Sequence, residues 1–170
     1  MKRTMVFFFL FSLLVISCQG ISVNRDSDGS QTRKLSESKS VDLAREEIER
    51  IVGAERAQVY WLTMKDGNLI FGITYATNLK PGSQSDTFLD QFNQVALIAS
   101  KYYYQTNTQA VNIIVMAEDI DFPTSDYYPP LRQVIIDNEA VAAWADGKTT
   151  DAQFIESWFV TPLEVFPTPE

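Results

Sequence analysis

The sequence predicts an α+β domain: a mainly antiparallel four-stranded sheet with helices packed on it, in the order α-β-β-α-β-β-α-α. Three observations carry that prediction. The stretch Lys65-Asp66-Gly67-Asn68 separates two runs rich in β-branched and aromatic residues, and Asp-Gly in that setting is the strongest short-range hairpin signal. A long segment with apolar residues at helical spacing follows, and then a near-continuous apolar run, AVNIIVMA at 110–117, suited to a central strand buried on both faces. Helices and strands come in mixed order, without the strict alternation of a parallel α/β sheet.

Each element has a local reason. Ser40 is placed to cap a first helix running to Val52, with Val41, Ala44, Ile48, Ile51 and Val52 as its apolar stripe and Gly53 as its stop. Strands are expected at 57–64 and 69–77, followed by a loop at 78–84 that contains Pro81-Gly82. Ser85 or Asp86 caps the longest helix, 87–105. There Phe88, Phe92, Val95, Ala99 and Tyr102 recur at helical spacing, and Leu89, Ala96 and Tyr103 widen the face. Residues 131–137 form the fourth strand, and 138–145 a helix stopped near Gly147. Thr150-Asp151-Ala152-Gln153 is a capping box that opens a last helix to about Phe159. Beyond it Pro162, Pro167 and Pro169 predict a tail without regular structure.

The first 40 residues read differently. Lys2 and Arg3 precede an apolar run of 12 residues, 5–16, interrupted only by Ser12. A membrane-spanning helix needs about 20 residues, so the run matches the apolar region of a secretory signal. It ends in Val15-Ile16-Ser17-Cys18, which resembles the lipobox of bacterial lipoproteins: an aliphatic residue, a tolerant position, a small residue and an obligatory Cys. The resemblance spans residues 1–18 alone. It implies that 1–17 are a signal peptide cut before Cys18, that the Cys18 thiol is diacylglycerylated, and that the new amino terminus is acylated, commonly with palmitate. A single acyl chain holds a protein only marginally, whereas two or three anchor it durably. The implied location is the cell membrane or outer membrane, with the domain outside the cytoplasm. The alternative is cleavage by the ordinary peptidase and free secretion.

Residues 19–40 are Ser-rich and polar, with no aromatic residue. With Cys18 they form a lipidated, flexible tether, 18–40, ahead of one acidic domain at 41–170. Asn24 to Gly29 matches the opening of a calcium loop, but Leu35 stands where the closing Glu belongs. This stretch is linker.

Composition narrows the function. The chain has no His, one Cys and a net charge of -8. The commonest general base and metal ligand are thus absent, and no internal disulfide is possible. With Cys18 spent as an anchor, the mature chain carries no thiol chemistry. Charge is uneven: residues 118–170 hold eleven acidic and two basic side chains, Arg132 and Lys148. Nucleic-acid binding rests on Lys and Arg neutralising phosphates, so no nucleic-acid partner is expected. The partners expected are the membrane, through the anchor, and a cationic or protein partner.

The densest acidic cluster is Glu118, Asp119 and Asp121, with Asp126 beyond and Tyr127 and Tyr128 beside two prolines. These six residues are the candidate ligand or cation patch, since carboxylates at a strand end offer hard oxygen ligands. Tyr102, Tyr103 and Tyr104 cannot all face one core. Nucleophile-elbow, phosphate-loop and zinc-helix motifs are absent. No catalytic residue and no cofactor are assigned. The leading expectation is a non-catalytic, lipid-anchored binding or envelope-accessory protein. The alternatives are a carboxylate-based hydrolase or calcium-dependent site on the 118–128 loop, and a structural subunit of an envelope complex.

Overall fold

The Asp66-Gly67 turn folds as its sequence requires. Gly67 adopts φ 85°, a left-handed conformation that costs glycine nothing. The Met64 N–H donates to the Asn68 carbonyl at 2.7 Å, and Asp66 Oδ1 accepts from the Asn68 N–H at 3.0 Å. The turn joins β1 (Ala57–Thr63) to β2 (Leu69–Thr77) as an antiparallel pair with Val59 opposite Ile73. The structure is a computed structural model, and it describes residues 35–82, 86–106, 108–121 and 130–161. Cys18, the signal segment and most of the tether, with Asp126, Tyr127, Tyr128 and the Pro162–Pro169 tail, lie outside the described residues.

The sheet has five strands, not four, and it is mixed. Helix α2 (Thr87–Tyr104) lies between β2 and β3 (Asn112–Asp119), and these strands pair in parallel, with Ile73 beside Val115. An 18-residue helix carries the chain back to the end of the sheet where β2 began, so the next strand runs in the same direction. β4 (Arg132–Asp137) returns antiparallel to β3. Helices α3 (Asn138–Ala145) and α4 (Asp151–Glu156) follow. Then comes β5 (Phe159–Val160), which pairs antiparallel to β4 where the sequence suggested the end of a helix. The spatial order is β1-β2-β3-β4-β5.

The first helix, α1 (Glu37–Val52), starts earlier than expected. Ser36 is its cap, its side chain accepting from the Lys39 N–H, while Ser40 is buried within the helix. Leu35 already bridges to Thr106, so the ordered domain reaches into the stretch read as tether. The capping box of α4 is present in both halves, Thr150 to Gln153 and back.

Helices α1, α2 and α3 pack over β1, β3 and β4 and cover one face of the sheet. That face carries Val59, Phe71, Ile73, Tyr75, Ile113, Val115, Val134 and Ile136, all buried. Ala44, Ile48, Phe92, Val95 and Ala99 meet them from the helices. Each large apolar side chain so buried contributes about 1.5–3 kcal/mol. The expectation that β3 is buried on both faces is corrected: Ile113, Val115 and Ala117 are buried, whereas Ile114 and Met116 are only half-buried. The described helices lie on one side only and leave the other side of the strand without a layer among the described residues.

Aromatics close the carboxyl-terminal corner. Trp144 stacks on Phe154 at 4.9 Å, and Trp158 meets the same ring edge-on at 5.5 Å. Trp144 Nε1–H donates to Asp151 Oδ1 at 2.8 Å. Of the tyrosine triplet, Tyr103 is buried, with its hydroxyl donating to the Ala110 carbonyl. Tyr102 donates to Glu47 and Tyr104 to Asp146. No helix among the described residues is long and apolar enough to cross a membrane.

Candidate binding surfaces of the sheet

Parallel pairing of β2 and β3 brings their carboxyl ends together, with Thr77 beside Asp119. In sheets with parallel strands this end is where loops gather and ligands bind. The acidic residues singled out in the sequence fall here. Asp119 pairs with Lys80, and its Oδ1 accepts from the Asp121 N–H at 3.0 Å. The hydrogen bond from Lys80, with that backbone bond, holds the Asp119 carboxyl below the usual carboxylate range. Asp121 is exposed. Glu118, one residue earlier on the strand, projects from the opposite face of the sheet to Asp119. The described part of the acidic patch is therefore split between two faces. Among the described residues no group of three or more His, Cys, Asp or Glu could hold a metal ion.

Beside this end, on the covered side, lies a cavity of about 340 Å³ between the first turn of α2 and the edge formed by β4 and β5. Phe88, Leu89, Leu131 and Val160 give it apolar walls, and Arg132 contributes its one charged group among the described lining residues. Arg132 faces inward because it is in phase with Val134 and Ile136, and it shares a row with Ala117 and Tyr75. Its guanidinium lies 5.2 Å from the centroid of the Phe92 ring, a favourable cation–π distance. Its Nε is buried without a hydrogen-bond partner. Tyr75 is 1% exposed and its hydroxyl is likewise buried and unpartnered. Burial lowers the pKa of the Arg132 guanidinium and raises that of the Tyr75 hydroxyl.

The other side of the sheet is the second surface. The register places Tyr60, Gly72, Ile114, Ile135 and Phe159 in one row across all five strands. The Tyr60 ring lies over Gly72 so closely that a Cβ there would sit 2.2 Å from Tyr60 Cε2, and glycine alone permits that approach. Ile114 and Ile135 are half-buried, while Phe159 is 63% exposed and Leu62 47%. Sheets with one solvated face ordinarily alternate apolar-in and polar-out. Here the uncovered face keeps an apolar row through its centre, flanked by Glu118 and Asp137 and by the neutral Gln58, Thr74, Asn112 and Gln133.

Neither surface follows from the sequence reading, in which Arg132 is only one of two cations among many carboxylates. The signal that finds it is period two: an arginine in step with Val134 and Ile136 points at the core. The row across the open face carries no such signal, since it joins single residues from five strands. Comparison with family models, with curated proteins and with solved structures finds no match for this chain.

Proposed function

We propose that the protein is a lipid-anchored extracytoplasmic accessory module that docks a protein partner on the open face of its sheet and catalyses no reaction. The observation behind this reading is the apolar row Tyr60–Gly72–Ile114–Ile135–Phe159 on a face that no described helix covers. Contiguous apolar surface of this kind marks interaction sites. The partner is a protein face with an apolar centre and a basic rim. The strand positions of this face carry Glu118 and Asp137 as their charges and no Lys or Arg, and complementary charge sets register and approach. The anchor is Cys18 in its lipobox-like setting; Asp126, Tyr127 and Tyr128 lie outside the described residues.

The carboxylate-based hydrolase has less behind it. Such chemistry needs two carboxyls converging on one bond, whereas Glu118 and Asp119 project from opposite faces and Asp119 is held by Lys80.

Two experiments test the proposal. Labelled palmitate should enter the wild-type chain and fail to enter Cys18→Ala; equal labelling removes the anchor. A photo-crosslinking residue at position 135 or 159 should trap a protein in intact envelopes, and one at Glu46 on α1 should not. The adduct should weaken in the double variant Glu118→Gln with Asp137→Asn, where the amide introduced on β4 is still able to cap α3. Adducts from position 46 as abundant as those from 135, or no adduct from the sheet face, would overturn the docking.

A further inference from the structure

The cavity beneath α2 lies on the covered side of the sheet, so what it holds is independent of docking on the open face. Arg132 has no carboxylate within ion-pairing distance among the described residues. Asp119, two residues beyond Ala117 on the same face of β3, is already taken by Lys80. A half-buried guanidinium whose Nε finds no acceptor is unfavourable, and the Phe92 ring compensates it in part only. Tyr75 repeats the pattern in the same row, two strands away: a hydroxyl fully out of water, with no partner among the described residues. Buried polar groups are nearly always paired, and the Arg132 Nε at the wall of this apolar cavity lacks an acceptor among the described residues, which leaves that place open to a ligand.

We infer that the cavity is a binding site for a small amphipathic carboxylate, its apolar body against Phe88, Leu89, Leu131 and Val160 and its head on Arg132. A carboxylate fits the guanidinium because two coplanar oxygens accept from two parallel N–H groups, the Nε edge included. At roughly 30 Å³ of liquid-like volume per non-hydrogen atom, the 340 Å³ cavity holds a ligand about the size of decanoate. In a chain of net charge -8, long-range attraction does not draw an anion in. Recognition therefore rests on burial of the body and on the single local cation.

The test is calorimetric titration of the secreted chain carrying Cys18→Ser, so that no acyl group competes, with decanoate, decanol and decyltrimethylammonium. Decanoate should bind saturably and roughly tenfold or more tighter than decanol, and the cation should not bind. Arg132→Met should bring decanoate down to the level of decanol. Leu89→Trp, which fills the cavity from a half-buried position, should abolish both. The melting temperature of ligand-free Arg132→Met should rise, because an unpaired charge leaves the interior. Equal affinity for decanoate and decanol, absence of binding, or decanoate affinity unchanged in Arg132→Met would each overturn the inference. So would a lower melting temperature for that variant, since the guanidinium would then have a partner within the chain.

Discussion

The two faces of the sheet are built from similar residues and do opposite work. On the covered face Phe71, Ile73, Ile113, Val115, Val134 and Ile136 are fully buried under α1, α2 and α3. On the open face Tyr60, Ile114, Ile135 and Phe159 form an equally apolar row with no described helix over it. Ile113 and Ile114 are neighbours in sequence and chemically identical, yet one is core and the other surface. Strand alternation separates them, and the location of the helices decides which is which. A large apolar residue therefore reports on folding on one side and on recognition on the other.

The sharpest way to break this contrast is paired truncation. Phe92→Ala removes a ring that is fully buried against Tyr75 and Phe88 and should cost about 3–5 kcal/mol. Phe159→Ala, from a side chain 63% exposed, should change stability by no more than about 0.5 kcal/mol while weakening the envelope adduct. Urea unfolding of both variants checks this. A comparable loss from the two would mean that the open face is itself covered and is part of the core.

The next effect concerns alkali. Burial raises the pKa of the Tyr75 hydroxyl above its ordinary value of 10.0, so above pH 10 the unfolded chain loses a proton that the folded chain keeps. Stability is unaffected below the unfolded pKa and falls as pH rises past it, at about 1.4 kcal/mol per pH unit for this one group. Tyr102, raised by partial burial and by its bond to Glu47, adds to the slope in the same direction. Tyr75→Phe should flatten the alkaline limb and, with no ligand present, match or exceed the wild type at neutral pH, since the hydroxyl it removes has no partner among the described residues. Denaturant titrations at pH 9, 10 and 11 read this out. An unchanged slope would mean that the hydroxyl is solvated.

A smaller effect belongs to the open face. Gly72→Ala drives a methyl into the Tyr60 ring, which must swing off the sheet, at about 1 kcal/mol. Adding Tyr60→Ala should remove most of that penalty, and the non-additivity of the pair measures how far the ring depends on the glycine. Additive losses would place the strain in the backbone instead.

Smallest is the acid limb at the Lys80–Asp119 pair. Because Lys80 depresses the Asp119 pKa, the pair contributes above the ordinary carboxylate pKa, and its contribution is lost as pH falls through the depressed value. Asp119→Asn should flatten that limb slightly. A steeper limb in the variant would contradict the ion pair.

How far the fold is legible depends on how local its causes are. The β1–β2 hairpin, the α4 capping box and the span of α3 follow from a few adjacent residues, because Gly67, Thr150 with Gln153, and Asp137 act within one turn. The start of α1 differs by several residues from the expected one, because Ser36 and Ser40 are both competent caps and only packing buries one of them. β5 is invisible in the sequence since two residues, Phe159 and Val160, carry no period of their own; they become a strand by lying beside Ile135 and Val134. The candidate patch is legible as an acidic stretch, yet its chemistry is not. Whether Glu118 and Asp119 converge is a question of strand phase, and whether Asp119 is free depends on Lys80, 39 positions away.

Composition and neighbours along the chain were enough for the identity and approximate span of the larger elements, the charge imbalance, the lack of His, the single Cys, and the lipobox-like segment in which it stands. Three features came from the folded molecule alone: β2 and β3 run parallel, the described covering helices take the same side, and Arg132 sits at the wall of a cavity without a counter-charge among the described residues. Each of these depends on residues far apart in sequence. The loop-closure entropy of joining them is recovered only when the whole sheet and its helical layer form together, so no single segment records the outcome.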